Sequence, residues 1–241
     1  MRPANESSSA VALIGVAQRF GHRWAIRGVS LDVSAGEVVA IVGHNGSGKS
    51  TLLRIVATAL RPTRGSAHVL GLDVTRDAAR LRERVALLTH DVALYGDLTA
   101  EENLRFAARM LGQRPSRVQL EAVLDQVGLR AVADERARTF SSGMQRRLSI
   151  ARIFLRTPDV LLLDEPFNSL DADGVALVSD LVRQTRARGA TVLLVAHDLQ
   201  RGAIAADRVV AMAEGRFVED AAGATAPVLG EPVPESPDVL V

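Results

Sequence analysis

The sequence contains no cysteine and only one lysine, set against 28 arginines. Without cysteine the chain cannot form disulfides, bind metals through thiolates or use thiol chemistry, which fits a reducing compartment. An excess of one charge is lacking too, because 29 basic and 28 acidic residues leave a formal net charge of +1. Nothing in this balance indicates a surface for polyanions, so nucleic acid is not an expected ligand.

Long hydrophobic runs are also absent. Apolar runs such as Val160–Leu163 and Val192–Ala196 are far shorter than the roughly 20 residues that a membrane-spanning helix needs. The segment Met1–Ser9 is polar and lacks the apolar centre of a signal peptide. We therefore expect a soluble globular chain, whose 241 residues and 47% hydrophobic content suffice for one large domain. Any role at a membrane must come through a partner.

The single lysine ends the motif Gly43–Ser50, which matches the phosphate-binding pattern G-x-x-x-x-G-K-[ST]. A compact ammonium can enter a ring of backbone N–H groups and reach the β- and γ-phosphates, whereas a planar guanidinium is too broad. Val38–Val42 predicts a buried strand entering this loop, and Ser50–Val56 a helix that leaves it with its positive end towards the anion. The expected phosphate contacts come from Gly43, His44, Asn45, Gly46, Ser47, Gly48, Lys49, Ser50 and Thr51.

A second motif carries two adjacent carboxylates. The apolar strand Val160–Leu163 ends in Asp164 and Glu165, a Walker B pattern, and its distance along the chain allows it to lie beside the strand Val38–Val42. Asp164 would hold Mg²⁺ together with the Ser50 hydroxyl, while Glu165 would point at an attacking water. A solvated turn is the alternative, and the phosphate loop makes it the weaker interpretation.

The order of the predicted elements favours an α/β fold. Residues 11–42 alternate apolar and polar side chains and predict a small antiparallel layer. From about Thr99 to Ile153 the spacing becomes helical, and Thr99–Glu102 predicts a capping box. Later strands alternate with a helical segment near Gly174–Arg188, as in a parallel sheet. Residues 220–241 lack periodicity and predict a loosely ordered tail. Further strands are predicted at Ser66–Leu70, Val85–Thr89, Val192–Ala196, Arg208–Met212 and Arg216–Glu219.

Residues 10–219 resemble the nucleotide-binding subunit of an ATP-binding cassette (ABC) transporter. The most specific string is Phe140–Leu148, which is similar to the family signature L-S-G-G-Q and precedes the Walker B strand. Alone it would only predict the start of a helix. The resemblance implies a P-loop NTPase of the ABC cassette type: a RecA-like parallel-sheet core, an N-terminal antiparallel β layer and an α-helical lobe inserted at about 91–156. It also implies that Ser141 and Gly143 touch the γ-phosphate held by the opposite subunit, so that two copies enclose two ATP molecules.

Three further positions match the family. Asp171 resembles the end of the D-loop that communicates across the dimer, although alone it would be an ordinary helix N-cap. His197, after the strand Val192–Ala196, resembles the switch histidine that contacts the γ-phosphate and helps to orient the water. Phe20 resembles the aromatic residue that stacks on adenine. Packing of Phe20 in the core, or stacking by the nearby Trp24, are the alternatives.

The sequence departs from the family pattern at three positions. His90 stands where the family has a glutamine that reaches Mg²⁺ and the attacking water. Imidazole coordinates Mg²⁺ poorly and titrates near neutrality, so the alternative is that His90 only caps the strand end. Ser142 and Met144 replace a glycine and a glutamine of the signature. Neither change removes Ser141 or Gly143.

The resemblance implies an ATPase that uses ATP and Mg²⁺ and drives in-line attack of water on the γ-phosphorus. Lys49 would neutralise charge, Glu165 would act as the base or orient the water, and His197 would fix the phosphate. The implied partners are a second copy of the subunit and an integral-membrane permease, whose coupling helix would reach the surface near Asp91–Leu111. The implied location is the cytoplasmic face of the cell membrane, where the subunit is held by its permease.

Export is expected rather than import, because no regulatory domain follows the cassette. The strings around His90, Asp97–Leu104 and Ser142–Gln145 most resemble the ATPase subunits of haem exporters in cytochrome c maturation. A drug or multidrug exporter ATPase is the alternative. A soluble ABC ATPase outside transport fits less well, since the stretch between Lys49 and Phe140 has no room for a long coiled coil. A non-hydrolysing regulatory cassette conflicts with the presence of Glu165 and His197.

Overall fold

The computed structural model describes residues 9–89, 91–168, 170–197 and 206–218. An antiparallel sheet forms the N-terminal layer. Its strands are β1 (Ser9–Phe20), β2 (Arg23–Ser34), β4 (Arg64–Val69) and β5 (Leu72–Asp73), paired in the order β2-β1-β4-β5. The predicted antiparallel layer is confirmed, and Gly21 and His22 form the turn between its first two strands.

The central sheet is mostly parallel, as predicted. Its strands are β3 (Val38–Val42), β6 (Val85–Leu88), β7 (Val160–Asp164), β8 (Thr191–Ala196), β9 (Arg208–Ala213) and β10 (Arg216–Val218). They follow the order β10-β9-β3-β8-β7-β6, and among these neighbours β10 and β9 pair antiparallel while the others pair parallel.

One expectation about this sheet is wrong. The strand that carries the two carboxylates, β7, does not lie beside β3, because β8 lies between them and pairs with both. β8 is buried along its whole length and can therefore occupy the centre of the sheet. In the resulting register Val42 lies opposite Ala196 and Asp164 lies opposite Val195, so three strands end at the same edge.

The described helices are α1 (Lys49–Val56), α2 (Ala78–Arg84), α3 (Ala100–Met110), α4 (Arg117–Gln126), α5 (Ser142–Phe154) and α6 (Ala172–Ala187). Helices α3, α4 and α5 follow β6 and precede β7, within the predicted helical stretch. Thr99 and Glu102 form the predicted capping box of α3. The short helix α2 was not predicted, because Leu81 is the one residue it buries and this leaves no apolar period to detect.

The domain limits of 10–219 and the lobe limits of about 91–156 stay predictions, and the tail at 220–241 lies outside the described residues. Within the described ranges, no helix combines the length and apolar character needed to cross a bilayer.

The central sheet separates two apolar cores. Along β3, Val38, Ala40 and Val42 join the core that contains the helices α3, α4 and α5, while Val39 and Ile41 join the core under the antiparallel sheet and α1. A strand buried on both faces has no polar side, which explains why β3, β7 and β8 are continuous apolar runs in the sequence. The strand ends that carry the polar residues are therefore held from both sides.

Candidate nucleotide site

The loop between β3 and α1 wraps around the chain's single lysine. Lys49 is 4% exposed, and its ammonium donates hydrogen bonds to the carbonyl oxygens of Gly43 and His44, the latter at 3.0 Å. Burial lowers the pKa of Lys49, while Glu165 and Asp164 act in the opposite direction. The ammonium therefore sits inside the loop, as the phosphate-binding pattern predicts.

Two glycines of this loop have no room for a side chain. A Cβ on Gly43 would lie 2.1 Å from the carbonyl oxygen of Met212, and one on Gly48 would lie 2.5 Å from that of Ala25. Gly48 also has a φ of +107°, in the region that favours glycine. The neighbouring strands thus press the loop into a curve that other residues cannot follow.

The carboxylate of Asp164 lies against the start of α1. The Ser50 hydroxyl donates a hydrogen bond of 3.0 Å to Oδ1 of Asp164, across 114 positions of sequence. Asp164 is 5% exposed, and burial raises its pKa, an effect that the Ser50 hydrogen bond opposes. A carboxylate and a hydroxyl oxygen are the kind of hard ligands that Mg²⁺ takes from a protein, so these two residues fit such a metal.

Glu165 and Asp164 line one cavity, which has a volume of about 440 Å³. Its lining residues are Asn45, Gly46, Lys49, Ser50, Asp164, Glu165 and Asn168. The backbone N–H of Glu165 donates to the carbonyl oxygen of Val195, at the end of β8. The structure therefore brings the lysine, the serine and both carboxylates to one place, although β7 and β3 are not neighbours. The second carboxylate thus lines the same cavity as Lys49, Ser50 and Asp164.

An aromatic cavity of about 750 Å³ lies on the other side of the loop. Phe20 and Trp24 line this cavity. The rest of its lining includes Arg27, His44, Asn45, Gly46 and Thr51. Phe20 is 51% exposed, so it is not a core residue. The guanidinium carbons of Arg19 and Arg64 lie 5.6 and 5.4 Å from the ring centre of Trp24, so that ring has cationic partners, and stacking on adenine by Phe20 or by Trp24 stays a prediction.

The remaining predicted residues lie outside these two cavities. Ser141 caps α5 by accepting a hydrogen bond of 3.3 Å from the N–H of Met144, and Gly143 lies in the first turn of that helix. Asp171 caps α6 through the N–H of Gly174 and also binds Arg147, and these contacts lower its pKa. His197 directly follows β8 at the edge where the carboxylates lie, and its side chain is exposed.

His90 lies outside the described residues, so its expected part in metal binding stays a prediction. Two residues next to the site, Arg146 and Asn168, are not predicted from the sequence. Arg146 is 3% exposed, and it shares the buried face of α5 with Ile150 and Ile153, at i+4 and i+7. That spacing was available as a signal. Asn168 comes three residues after Glu165, the distance at which a turn closes.

Comparisons with known proteins agree with this arrangement. The sequence pattern of the ABC transporter family matches residues 26–168, which is more than half of the chain. The daunorubicin resistance ATP-binding protein DrrA3 of Streptomyces coeruleorubidus is 37% identical over 216 residues, covering 89% of this chain and 68% of the relative. The phosphonates import ATP-binding protein PhnC of Frankia casuarinae is 40% identical over 229 residues, covering 89% of this chain and 90% of the relative.

Solved structures show the same fold. The ATP-binding cassette MJ0796, in a dimeric post-hydrolysis state bound to ADP and Pi, superposes with a TM-score of 0.78 at 25% identity. The match covers 86% of this chain and 96% of that one. The α/β architecture expected from the sequence is therefore confirmed. Because the family pattern spans the loop, the signature helix and both carboxylates, the chain belongs to the ABC transporter family as one of its ATP-binding, ATP-hydrolysing domains.

Proposed function

We propose that this chain is the ATPase subunit of an ABC exporter, that it works as a homodimer, and that it drives a separate membrane permease. The observation that carries the catalytic part is the junction of the two cavities. Asn45 and Gly46 line both of them, so the cavity beside Phe20 adjoins the one beside Asp164 and Glu165, and we call the two together the trough. The aromatic part of the trough suits a purine, and the part around Lys49 suits phosphates. ATP carries a purine at one end and phosphates at the other.

Within this trough each side chain has a distinct task. Lys49 and the loop N–H groups bind the β- and γ-phosphates, and Ser50 and Asp164 would hold Mg²⁺. The metal, when bound there, would supply positive charge that offsets the charge of the phosphates. Glu165 accepts the proton of the attacking water or orients that water, and His197 contacts the γ-phosphate.

A second copy of the chain completes the site. Among the described residues that line the two cavities, none comes from the start of α5, where Ser141 and Gly143 lie. Their hydroxyl and free helix N–H groups suit a phosphate, so they serve the trough of a partner subunit. In a two-fold dimer every such contact occurs twice, which gives two composite sites.

The permease partner is supported by a groove of about 260 Å³ between β6, α3 and α5. Phe106 and Met110 line it and are 37% and 72% exposed, so apolar surface is available there for a docking helix. The groove overlaps the predicted coupling surface at Asp91–Leu111. A structure that superposes on this chain, cbiO1 of Clostridium perfringens, is part of the ABC transporter complex cbiONQ.

We propose export as the direction of transport, but only a broad class for the cargo. Relatives named for daunorubicin resistance support export of a drug-like compound, whereas haem rests on the sequence strings alone. Relatives named for import, such as PhnC, oppose the proposed direction. A transport assay with the cognate permease in inverted vesicles decides it, because an exporter accumulates cargo inside them when ATP is added outside.

The catalytic proposal is tested by Glu165→Gln. This variant should bind ATP as the wild type does but lose at least about a hundredfold in turnover, since the general base is gone. Glu83→Gln is the matched control, because Glu83 is exposed on α2, away from the site. Wild-type turnover in Glu165→Gln would remove Glu165 from the role.

The dimer is tested by mixing two inactive chains. A Lys49→Ala chain lacks a working loop and a Ser141→Arg chain lacks a working signature, but their heterodimer contains one intact composite site. Equal mixing makes half of the dimers mixed, and each has one of two sites, so turnover should return to about a quarter of the wild-type value. The homodimer would be contradicted if turnover did not return and if the chain also stayed entirely monomeric in the presence of ATP.

A further inference from the structure

The backbone of Glu165 adopts an unusual conformation. Its φ is +49°, in the left-handed region that few residues other than glycine adopt. Such a conformation persists only where the surroundings hold it, and it occurs often at functional sites. Three contacts hold it here. Its N–H donates to Val195 O at 3.0 Å, and its carbonyl oxygen accepts from the Arg146 guanidinium at 3.1 Å and from the Asn168 N–H at 3.3 Å.

The side chain of Glu165 is held as well. The amide nitrogen of Asn168 donates a hydrogen bond to Oε2 of Glu165. Both residues line the cavity that also contains Lys49 and Asp164. Among the hydrogen bonds between described residues, this is the one that reaches the Glu165 carboxylate, and it engages Oε2.

A glutamate has three rotatable side-chain bonds, so an unrestrained carboxylate samples many orientations. A general base must lie within hydrogen-bond reach of the proton that it accepts, and it loses efficiency when that geometry is rarely populated. The hydrogen bond from Asn168 restricts this freedom by fixing one of the two carboxylate oxygens. The backbone bond within the same turn keeps Asn168 at that distance.

We propose that Asn168 is a positioning residue, which holds the Glu165 carboxylate in the orientation that receives the attacking water. This inference rests on the proposed role of Glu165 and adds the residue that makes that role efficient. Asn168 itself takes no proton. It acts through the carboxylate, and it does so from the same turn that the left-handed backbone creates.

The first test compares Asn168→Ala with Asn168→Asp at saturating ATP. Alanine removes the donor, so kcat should fall about tenfold while the Kd for ATP stays within about twofold. Aspartate matches asparagine in shape but presents oxygens to an acceptor, so kcat should fall further than with alanine. If Asn168 only fills space, the order reverses, because aspartate preserves the volume; that order would overturn the inference.

The second test is a double-mutant cycle. Asn168→Ala should reduce turnover in the wild type but have no further effect in Glu165→Gln, because the positioned base is already absent. Asn103→Ala is the matched control. Asn103 is 2% exposed and bonds to Tyr95, Leu98 and Thr99, far along the chain from Glu165, so any effect of its loss should be the same in both backgrounds.

The outcomes separate this inference from the proposed function. Multiplicative effects of Asn168→Ala and Glu165→Gln would overturn the positioning role and leave the base in place. Unchanged turnover in Glu165→Gln alone would overturn the assignment of the base. A loss in Asn168→Ala that disappears in Glu165→Gln supports both.

Discussion

Replacement of Arg146 by methionine should destabilise the protein far more than the same replacement of an exposed arginine nearby. Arg146 is 3% exposed, and its guanidinium donates to the backbone carbonyl oxygens of Thr89, Asp164 and Glu165, the last two at 3.4 and 3.1 Å. These carbonyls lie at the ends of β6 and β7, so one side chain on α5 connects two strand ends. Methionine keeps the apolar stem but removes all of the donors.

The magnitude follows from what the substitution leaves behind. A hydrogen bond to a charged group contributes about 1.5–3 kcal/mol, but burial of the guanidinium opposes its charge and lowers the pKa of Arg146. Each buried carbonyl oxygen left without a partner costs about 1–3 kcal/mol, and loss of the guanidinium's desolvation penalty offsets part of this, so removal of the three bonds should cost about 3–5 kcal/mol. For a domain of this size each kcal/mol corresponds to roughly 2–4 °C, so the melting temperature should fall by about 6–20 °C.

The next residue provides the control. Arg147 also lies on α5, but its partner Asp171 has a side chain that is 67% exposed, and an ion pair with so exposed a partner contributes little to stability. Arg147→Met should therefore lower the melting temperature by no more than a few degrees. Differential scanning calorimetry of both variants without nucleotide is the measurement. Equal melting temperatures for Arg146→Met and Arg147→Met would refute the reasoning.

Two further predictions concern stability. Gly65→Ala should lower the free energy of unfolding more than Gly21→Ala. Both glycines have a positive φ, which costs alanine about 1–2 kcal/mol, but of the two only the Cβ at position 65 would lie 2.4 Å from a carbonyl oxygen, that of Gly15. Equal urea midpoints for the two variants would contradict this. Asp73 accepts hydrogen bonds from the N–H groups of Arg76 and Thr75, which lower its pKa below 3.8. The stabilisation by the Asp73 carboxylate is therefore present above pH 3.8 and lost as the pH falls through the lowered pKa. Asp73→Asn should lower the melting temperature at pH 7, and this effect should disappear in strong acid. If the melting temperatures of the variant and the wild type differ by the same amount at every pH, the carboxylate is not responsible.

The fold could be predicted from the sequence where one physical signal dominated. Val38–Val42 and Val160–Leu163 are apolar without a polar face, which only a strand buried on both sides requires, and Thr99–Glu102 carries its own hydrogen-bonding pair. The order of strands was less accessible. Whether β7 or β8 lies next to β3 depends on packing across the whole sheet, and both strands have the same apolar pattern.

The candidate site shows the same division. The residues of Gly43–Ser50 and the pair Asp164–Glu165 could be found because their chemistry is written in adjacent positions. The spacing of Arg146 with Ile150 and Ile153 indicated a buried position, but no sequence pattern displays the partners of Arg146 and Asn168, which are backbone carbonyls and a single carboxylate oxygen. Position 165 gave no hint of a positive φ, since glutamate is not a residue that signals one.

The enclosure of Lys49 by its own loop makes the chain a single-site chemical reporter. A lysine-specific endoproteinase has one cleavage point in all 241 residues, the bond between Lys49 and Ser50 at the first turn of α1. Amine-directed labels likewise have one side-chain target, and that amine is 4% exposed and already donates to two carbonyl oxygens. Cutting or labelling at this position therefore measures how often the loop opens, and an occupant of the loop lowers that rate without the need for an engineered probe.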